Sequence, residues 1–286
     1  MAITYNNLYM DIRQELRQAG IQAATLEARE LVCFATGKTR EELLRDGRLY
    51  LTPEVEKQVW DLVQRHLDGE PVAYLIGEWE FYGLPLDINE HVLIPRVDTE
   101  VLAREAIDFV KEQGKCRVLD LCAGSGCVGL AIAAQARQTR VVLGELSEGA
   151  LRICRQNIRR NGLSGQVVPL MMDVMEGPSP QLGEFDCIVS NPPYIPTSTL
   201  PSLSPEVRCE PEAALDGGED GLTFYRALLF DYAKYLKVDG FFLLEIGYDQ
   251  AEAVRLLARE SGFPVCRLLR DYGGQDRVLL LRRTEK

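Results

Sequence analysis

From Cys116 onward the chain alternates short β-rich runs with helical stretches, and no other feature narrows its fold so far. The β-rich runs fall at 116–121, 140–145, 166–171, 185–190, 240–246 and near 277–282, with helical stretches at 126–137, 148–161, 221–236 and 249–261. Strand and helix repeated in this way build a mostly parallel, doubly wound α/β sheet. Such sheets bind ligands at the carboxyl ends of their strands, near the point where strand order reverses. Residues that directly follow strands are therefore the candidates for chemistry.

The first of these strands, CRVLDL, runs into CAGSGCVGLAIA. Gly124 and Gly126 permit close backbone approach, and a helix starting near Gly126 points its N-terminal N–H groups at a ligand. Cys122, Ala123 and Ser125 complete the loop. The spacing is not the dinucleotide GxGxxG, because the first glycine of that pattern is missing. Asp120, inside the strand end, places a carboxylate where it can face the amino group and sulfonium of a cationic ligand. S-adenosylmethionine fits this better than a dinucleotide. The second strand ends at Glu145, about 20 residues beyond the loop, where a carboxylate accepts from both ribose hydroxyls. It could alternatively cap the following helix together with Ser147. At the end of the third strand, Asp173 can accept from the adenine amino group with Val174 against the ring, or be a solvated loop residue.

The fourth strand, FDCIVS, feeds into Asn191-Pro192-Pro193-Tyr194, the most specific motif in the chain. Methylating an amide or aromatic amine is hindered because the nitrogen lone pair is delocalised. A helpful site turns the NH2 group toward the methyl carbon and favours the electron distribution that frees the lone pair. The Asn191 side-chain oxygen and the Pro192 carbonyl can each accept one of its two N–H bonds. Proline fixes its own φ and removes a competing donor. Tyr194 can pack on the flat face of the target. Positioning and charge complementarity would supply the acceleration in a direct displacement, without a covalent enzyme intermediate. A chance proline-rich loop could carry the same four residues, but its place after the fourth strand and downstream of the glycine loop argues against coincidence.

Ahead of this region, residues 1–70 read as helical. Leu8, Ile12 and Leu16 recur at helical spacing, Gly37 stops a second helix, and Thr52 with Pro53 starts a third through Val59 and Val63 to Gly69. This small domain carries no catalytic motif; it is either a stabilising cap or a surface for partner recognition. Residues 71–95 form a linker with a β-hairpin turned at Gly83, and residues 96–286 form the main domain.

Bulk properties exclude several classes. The net charge of -11 opposes unaided nucleic-acid binding, which depends on Lys and Arg neutralising phosphates. The N-terminus has no uninterrupted apolar core of the secretory type, and no run reaches a membrane span. Eight cysteines lie scattered without a CxxC pair or a nearby histidine, so a zinc site is not expected and free thiols in a reducing cytoplasm are.

With these motifs in hand, the chain closely resembles the HemK/PrmC family, the protein-(glutamine-N5) methyltransferases of peptide chain release factors. The likeness runs along nearly the whole sequence and includes PVAYLIGEWEFYGLPL, LIPRVDTE at 93–100 and EPEAALDGGEDGL at 210–222. The resemblance implies a class I (Rossmann-like) methyltransferase domain and an N-terminal bundle that engages the release factor. It implies S-adenosylmethionine as cofactor, the glutamine of the release factor's Gly-Gly-Gln motif as target, a cytoplasmic location and a single-copy enzyme. It places cofactor contacts on Cys122 through Gly126, the ribose carboxylate on Glu145, the adenine side on Val174 and the glutamine-holding motif on Asn191 to Tyr194. Arg96 and Glu100 match a segment that family members keep near the site. Val97 stands where the family usually has proline, and Cys122 and Ala123 where Gly and Thr are common. Gly273-Gly274-Gln275 mimics the target tripeptide, though a turn before the last strand is the better reading. The rivals are an N6-adenine nucleic-acid methyltransferase, a catalytically silent adenosylmethionine-binding protein and a dinucleotide-dependent oxidoreductase.

Overall fold

The computed structural model describes residues 3–263 and 265–284. They group into two compact units, one of Met1–Gly77 with Ser204–Cys209 and one of Glu78–Leu203 with Glu210–Lys286.

The first unit is helical: α1 (Tyr5–Gln18), α2 (Ala24–Thr36), α3 (Arg40–Arg45), α4 (Pro53–Leu67) and the short α5 (Val72–Ile76). Threonine side chains accept from backbone N–H groups at the starts of α1, α3 and α4, and Thr39 with Glu42 completes a reciprocal capping box. Leu8, Ile12 and Leu16 of α1 are fully buried, as are Val59 and Val63 of α4, so the helical spacing in the sequence marks real core faces. His66 is buried here, its ring nitrogens beside the Glu70 carbonyl and the Glu27 carboxylate. Residues 72–76, expected to belong to a linker, instead wind into α5, ended by Gly77 in the left-handed conformation.

The second unit opens with a hairpin of β1 (Glu78–Phe81) and β2 (Leu84–Asp87). Its two-residue turn, Tyr82-Gly83, has φ of 51° and 76°, the doubly left-handed geometry whose twist matches that of the strands. Next come α6 (Glu100–Gln113), β3 (Arg117–Leu121), α7 (Cys127–Gln135), β4 (Arg140–Glu145), α8 (Glu148–Arg160), β5 (Val167–Met171) and β6 (Phe185–Ser190). After α9 (Pro205–Arg208), which groups with the helical unit, the chain forms α10 (Thr223–Ala227), β7 (Leu236–Glu245), α11 (Ala251–Glu260), β8 (Val265–Arg270) and β9 (Asp276–Arg282).

The seven-stranded sheet has the order β5-β4-β3-β6-β7-β9-β8. β5 through β7 are parallel, and β9 runs antiparallel to both of its neighbours. Strand order reverses between β3 and β6, which puts the glycine loop and the Asn191 motif at the switch point. The single helix expected over 221–236 is instead α10, a wider π-type turn at Leu228–Tyr232 and a 3₁₀ turn at Ala233–Tyr235. The changed winding accompanies burial of Leu228, Leu229 and Tyr232 in the core cluster, and β7 then begins at Leu236 rather than near 240. Gly273 to Gln275 lie in the hairpin turn from β8 to β9, where Asp271 accepts from the Gly273 and Gln275 N–H groups.

One buried polar side chain fastens the hairpin to the sheet. Asn157 of α8 accepts from the Asp87 N–H and donates to the Asp87 and Ser125 carbonyls, which joins β2, α8 and the glycine loop. An Asn157→Leu variant leaves three backbone groups unmatched, and buried unsatisfied groups cost about 1–3 kcal/mol each before relaxation. We expect a loss of roughly 2–4 kcal/mol in urea unfolding, with no gain from the added apolar volume.

Candidate active site

The segment 93–99, the loop after β3 and the end of β6 enclose one pocket. Asp120, Cys122, Ala123, Gly124, Ser125 and Asn191 line it, and so do Leu93, Pro95, Arg96 and Thr99. Parallel pairing produces this convergence: Leu121 is in register with Ser190, so the chain leaves both strands at the same level. The Ser190 hydroxyl donates to the Leu121 carbonyl at 2.7 Å and locks the two strand ends together.

The loop after β3 turns through three left-handed residues, Cys122 (φ 58°), Gly124 (φ 56°) and Gly126 (φ 82°). At Cys122 that conformation carries a steric cost that glycine would not. A side-chain methylene at Gly126 would come 3.0 Å from Leu143, so this position also needs the missing Cβ for packing. Glu145, at the end of β4, accepts from the Gly124 N–H at 2.8 Å and from the Ser147 N–H at 2.8 Å. It thus braces the loop and helps Ser147 start α8, so the alternative roles of ligand binder and helix cap are not exclusive. Burial raises its carboxyl pKa, and the backbone N–H groups pull it back down.

Asp120 is 2% exposed and accepts from the Gly129 N–H in the first turn of α7. Desolvation pushes its pKa up to about 7, against the opposing pull of that N–H and aided by repulsion from Glu145. A buried carboxylate with one partner is costly in the ligand-free protein and is well matched to a cation. The loop, the carboxylates and the bare backbone at Gly124, where a Cβ would meet nothing within 4 Å, fit S-adenosylmethionine. Asp173 and Val174 follow β5: Asp173 accepts from the Met175 N–H, and Val174 is buried in the core cluster beside Met172. Neither lines the pocket that holds Asn191.

Asn191 is partly buried, Pro192 and Pro193 are buried, and Tyr194 packs on the core cluster. The motif is held from behind by the segment 210–222. Ile195 N–H donates to Leu215, Gly217 N–H donates back to Ile195, and the Gln250 amide donates to the Tyr194 and Gly221 carbonyls. A Cβ on Gly217 would stand 2.7 Å from the Tyr194 Cα, and one on Gly221 would stand 2.4 Å from the Tyr194 carbonyl oxygen. The glycines of DGGEDG therefore permit backbone to lie on backbone at the motif. Arg96 pairs with Glu210, whose carboxylate also accepts from the Ile94 N–H at 2.9 Å, so the segments 93–99 and 210–222 are tied to each other. Val97 is exposed at the start of a 3₁₀ turn, Val97–Thr99.

Three polar residues near the motif escaped the sequence reading. Thr99 is 1% exposed, and its hydroxyl accepts from the Asn191 side-chain N–H at 3.4 Å. Glu245, at the end of β7, is 2% exposed with Oε2 lacking any hydrogen-bond partner, and burial lifts its pKa to about 7. Arg277 pairs with Asp271 at 3.0 Å and Asp98 at 3.6 Å. Among the described residues no cluster of three or more His, Cys, Asp or Glu could hold a metal, and no helix is long and apolar enough to cross a membrane.

Residues 7–77 match the family model of the PrmC N-terminal domain, and residues 93–202 match the methyltransferase small domain. The release factor glutamine methyltransferase of Moorella thermoacetica is 38% identical over 286 residues, covering 97% of this chain and 100% of that protein. That of Geobacter sulfurreducens is 40% identical over 270 residues, covering 93% and 92%. A solved methyltransferase from Pyrococcus furiosus superposes with a TM-score of 0.53 at 18% identity, covering 78% of this chain and 98% of that one. The hMettl16 catalytic domain, solved with an RNA hairpin, gives a TM-score of 0.57 at 18% identity over 72% and 77%. At such identities the last two share the fold alone.

The raised pKa of Asp120 sets a pH dependence of stability. The unfolded carboxyl ionises near pH 4, whereas the folded one holds its proton up to about 7. The folded state is therefore favoured by this group at low pH, and that contribution is lost as pH rises from about 4 through about 7. In the ligand-free protein, Asp120→Asn should raise Tm relative to the parent more at pH 8 than at pH 4.5. An equal Tm difference at both values would contradict the burial argument.

Proposed function

The chain belongs to the release factor glutamine methyltransferase family, and on that premise we propose that Asn191, Pro192 and Tyr194 hold the side-chain amide of a release factor glutamine for methylation. The observation that supports this reading is that Asn191 and the Cys122–Ser125 loop line the same pocket, at the switch point of the sheet. Donor and acceptor sites are then within one cavity.

Bound there, S-adenosylmethionine would supply an electrophilic methyl carbon on a sulfonium, whose C–S bond would break as the new C–N bond forms. Backbone N–H groups of the glycine loop and the Asp120 carboxylate would receive its charged amino-acid end, and Glu145 its ribose. Ala123, Ser125 and Gly126 would complete that cradle, and Asp173 and Val174, outside the pocket lined by Asn191, would meet the adenine end. Toward the substrate, the Asn191 Oδ1 and the Pro192 carbonyl each accept one amide N–H. This holds the nitrogen with its lone pair toward the methyl carbon and favours positive charge building on it. Pro193 stiffens the turn, and Tyr194 provides a flat wall. The methylated nitrogen then gives one proton to solvent water, which restores a neutral amide.

The helical unit serves release factor recognition in this reading, and the unit of Glu78–Leu203 with Glu210–Lys286 carries methyl transfer. The protein works as a monomer in the cytoplasm, where release factors act. The acidic balance favours a protein partner over direct contact with nucleic acid.

Mass spectrometry of a release factor incubated with enzyme and labelled cofactor tests the assignment. One added methyl on a single glutamine is expected, and label appearing only on RNA or DNA would overturn it. Asn191→Ala should lower kcat by about 10²-fold or more, the scale of losing one oriented polar contact to the reacting group. Cofactor Kd should change little in that variant. Glu145→Ala should show the opposite pattern, with weakened cofactor binding measured by calorimetry.

A further inference from the structure

The segment 93–99 walls the pocket, with Arg96 and Thr99 in its lining, yet it belongs to no strand and only Val97–Thr99 winds into a 3₁₀ turn. No sheet ladder fixes it, so its place depends on side chains reaching across to it. At one end Glu210 takes the Ile94 N–H and pairs with Arg96. At the other end the tie is Arg277 of β9.

The hydrogen-bond partners of Arg277 are all acceptors, and a guanidinium keeps its charge and has donors only, so the direction of each contact is fixed. Nε and Nη2 donate to Asp271 Oδ2 at 3.1 and 3.0 Å, and Nη1 donates to the Ile246 carbonyl at 3.3 Å. Nη2 also forms an ion pair at 3.6 Å with Asp98 Oδ2, in the middle of the 3₁₀ turn. Asp271 is itself held still. Its Oδ1 accepts from the Gly273 and Gln275 N–H groups at 2.9 and 3.0 Å, and its own N–H donates to the Gln275 carbonyl. Burial would raise the Asp271 carboxyl pKa, but those N–H groups and Arg277 hold it below its ordinary value. The Arg277 side chain is 12% exposed and the Asp271 carboxylate 3%, so solvent screens this pair little, whereas Asp98 is half exposed.

We propose that Arg277, aimed by Asp271, is a positioning residue that grips Asp98 and so sets the 3₁₀ turn of the pocket wall, with Thr99 and Arg96 on it. The inference rests on the proposed role of that pocket in methyl transfer. It gives the Gly273-Gly274-Gln275 turn a duty unrelated to its likeness to the target tripeptide: its backbone N–H groups orient the carboxylate that orients the arginine. It also accounts for an enclosed guanidinium that does not itself line the pocket.

Asp98→Asn removes the charge from the exposed end of the chain and should leave Tm within about 2 °C of the parent. With methylated release factor as the readout, it should lower kcat/KM about threefold to fivefold. Arg277→Gln should cost more, because it also strands the buried Asp271 carboxylate. The double variant should match Arg277→Gln alone, since Asp98 acts only through the arginine. A further loss of the size seen in Asp98→Asn would overturn the proposal, and would assign Asp98 a separate effect on the start of α6. Backbone amide exchange provides a test without substrate. The Thr99 N–H, which donates to the Arg96 carbonyl at 3.1 Å, should exchange about threefold faster or more in Asp98→Asn and Arg277→Gln, with the amides of Ala106 to Val110 unchanged in Asp98→Asn. Asp271→Asn, with one oxygen to share between the turn and the arginine, should quicken the same amide. If the parent methylates no release factor yet Thr99 exchange responds in this way, the substrate assignment fails and the brace stands; Thr99 exchange unchanged in Asp98→Asn removes the brace whatever the substrate.

Discussion

The functional arrangement depends on the parallel register of three adjacent strands. Leu121 pairs with Ser190, and Ser190 pairs with Leu244, so β3, β6 and β7 end at one level. Each strand then delivers its chemistry within one residue of that line: the Cys122 loop, Asn191 and Glu245. A slip of one residue in either ladder would turn every side chain of that strand to the opposite face. The Ser190 to Leu121 hydrogen bond sits on the line itself and resists such a slip where it would matter most. The geometry of the pocket is in this sense a by-product of sheet pairing, and the loops need only short excursions from it.

Around that edge the protein holds carboxylates in places that disfavour them. Asp120 and Glu245 are both almost fully enclosed, and burial raises the pKa of each to about 7. Well-packed apolar residues of similar volume would give a more stable ligand-free protein. The two groups differ in what opposes the cost. Asp120 has a backbone N–H at the start of α7 and faces the pocket, where a cationic ligand can complete its solvation. Glu245 has the positive charges of Arg277 and Arg96 nearby, and does not line that pocket. One carboxylate is therefore placed to meet a ligand, whereas the other is enclosed away from it.

How much of this was legible in the sequence follows from the range of each interaction. The alternation after Cys116, the hairpin turned at Gly83 and the helical core positions Leu8, Ile12 and Leu16 rest on local periodicity and turn chemistry, which a single sequence displays. β8 escaped notice because its residues, VCRLLR, lack clean alternation and it pairs only with β9. α6 is less visible because it precedes the strand–helix alternation that begins at Cys116, although Ala103, Ala106 and Val110 mark a buried helical face. The continuous helix expected at 221–236 failed because tertiary burial of Leu228, Leu229 and Tyr232 overrode regular winding. Thr99 and Glu245 could not be read at all. They are 146 positions apart and come near Asn191 only through the fold, and neither belongs to a motif whose chemistry is visible in one dimension. The grouping of Ser204–Cys209 with the helical unit is equally non-local.

The supporting segments show why long stretches beyond the four-residue motif carry information. Arg96 and Glu210 join two distant loops by a partly buried ion pair, and the same glutamate carboxylate receives the Ile94 N–H. Gln250 uses both ends of its amide: the oxygen accepts from the Gly247 N–H, and the nitrogen donates to the Tyr194 and Gly221 carbonyls. Gly217 and Gly221 then let the chain press against Tyr194 where any side chain would collide. These contacts touch the backbone of the motif rather than its reactive atoms. Each proline fixes its own φ and biases the residue before it toward an extended ψ, so the prolines already restrict the motif as far as Pro193. The Ile195, Leu215 and Gly217 hydrogen bonds add a hold on the far side, beyond Tyr194. On the role proposed for Asn191 and Pro192, their two oxygens are set before any substrate arrives, and the reorganisation that a flexible acceptor would require during methyl transfer is avoided.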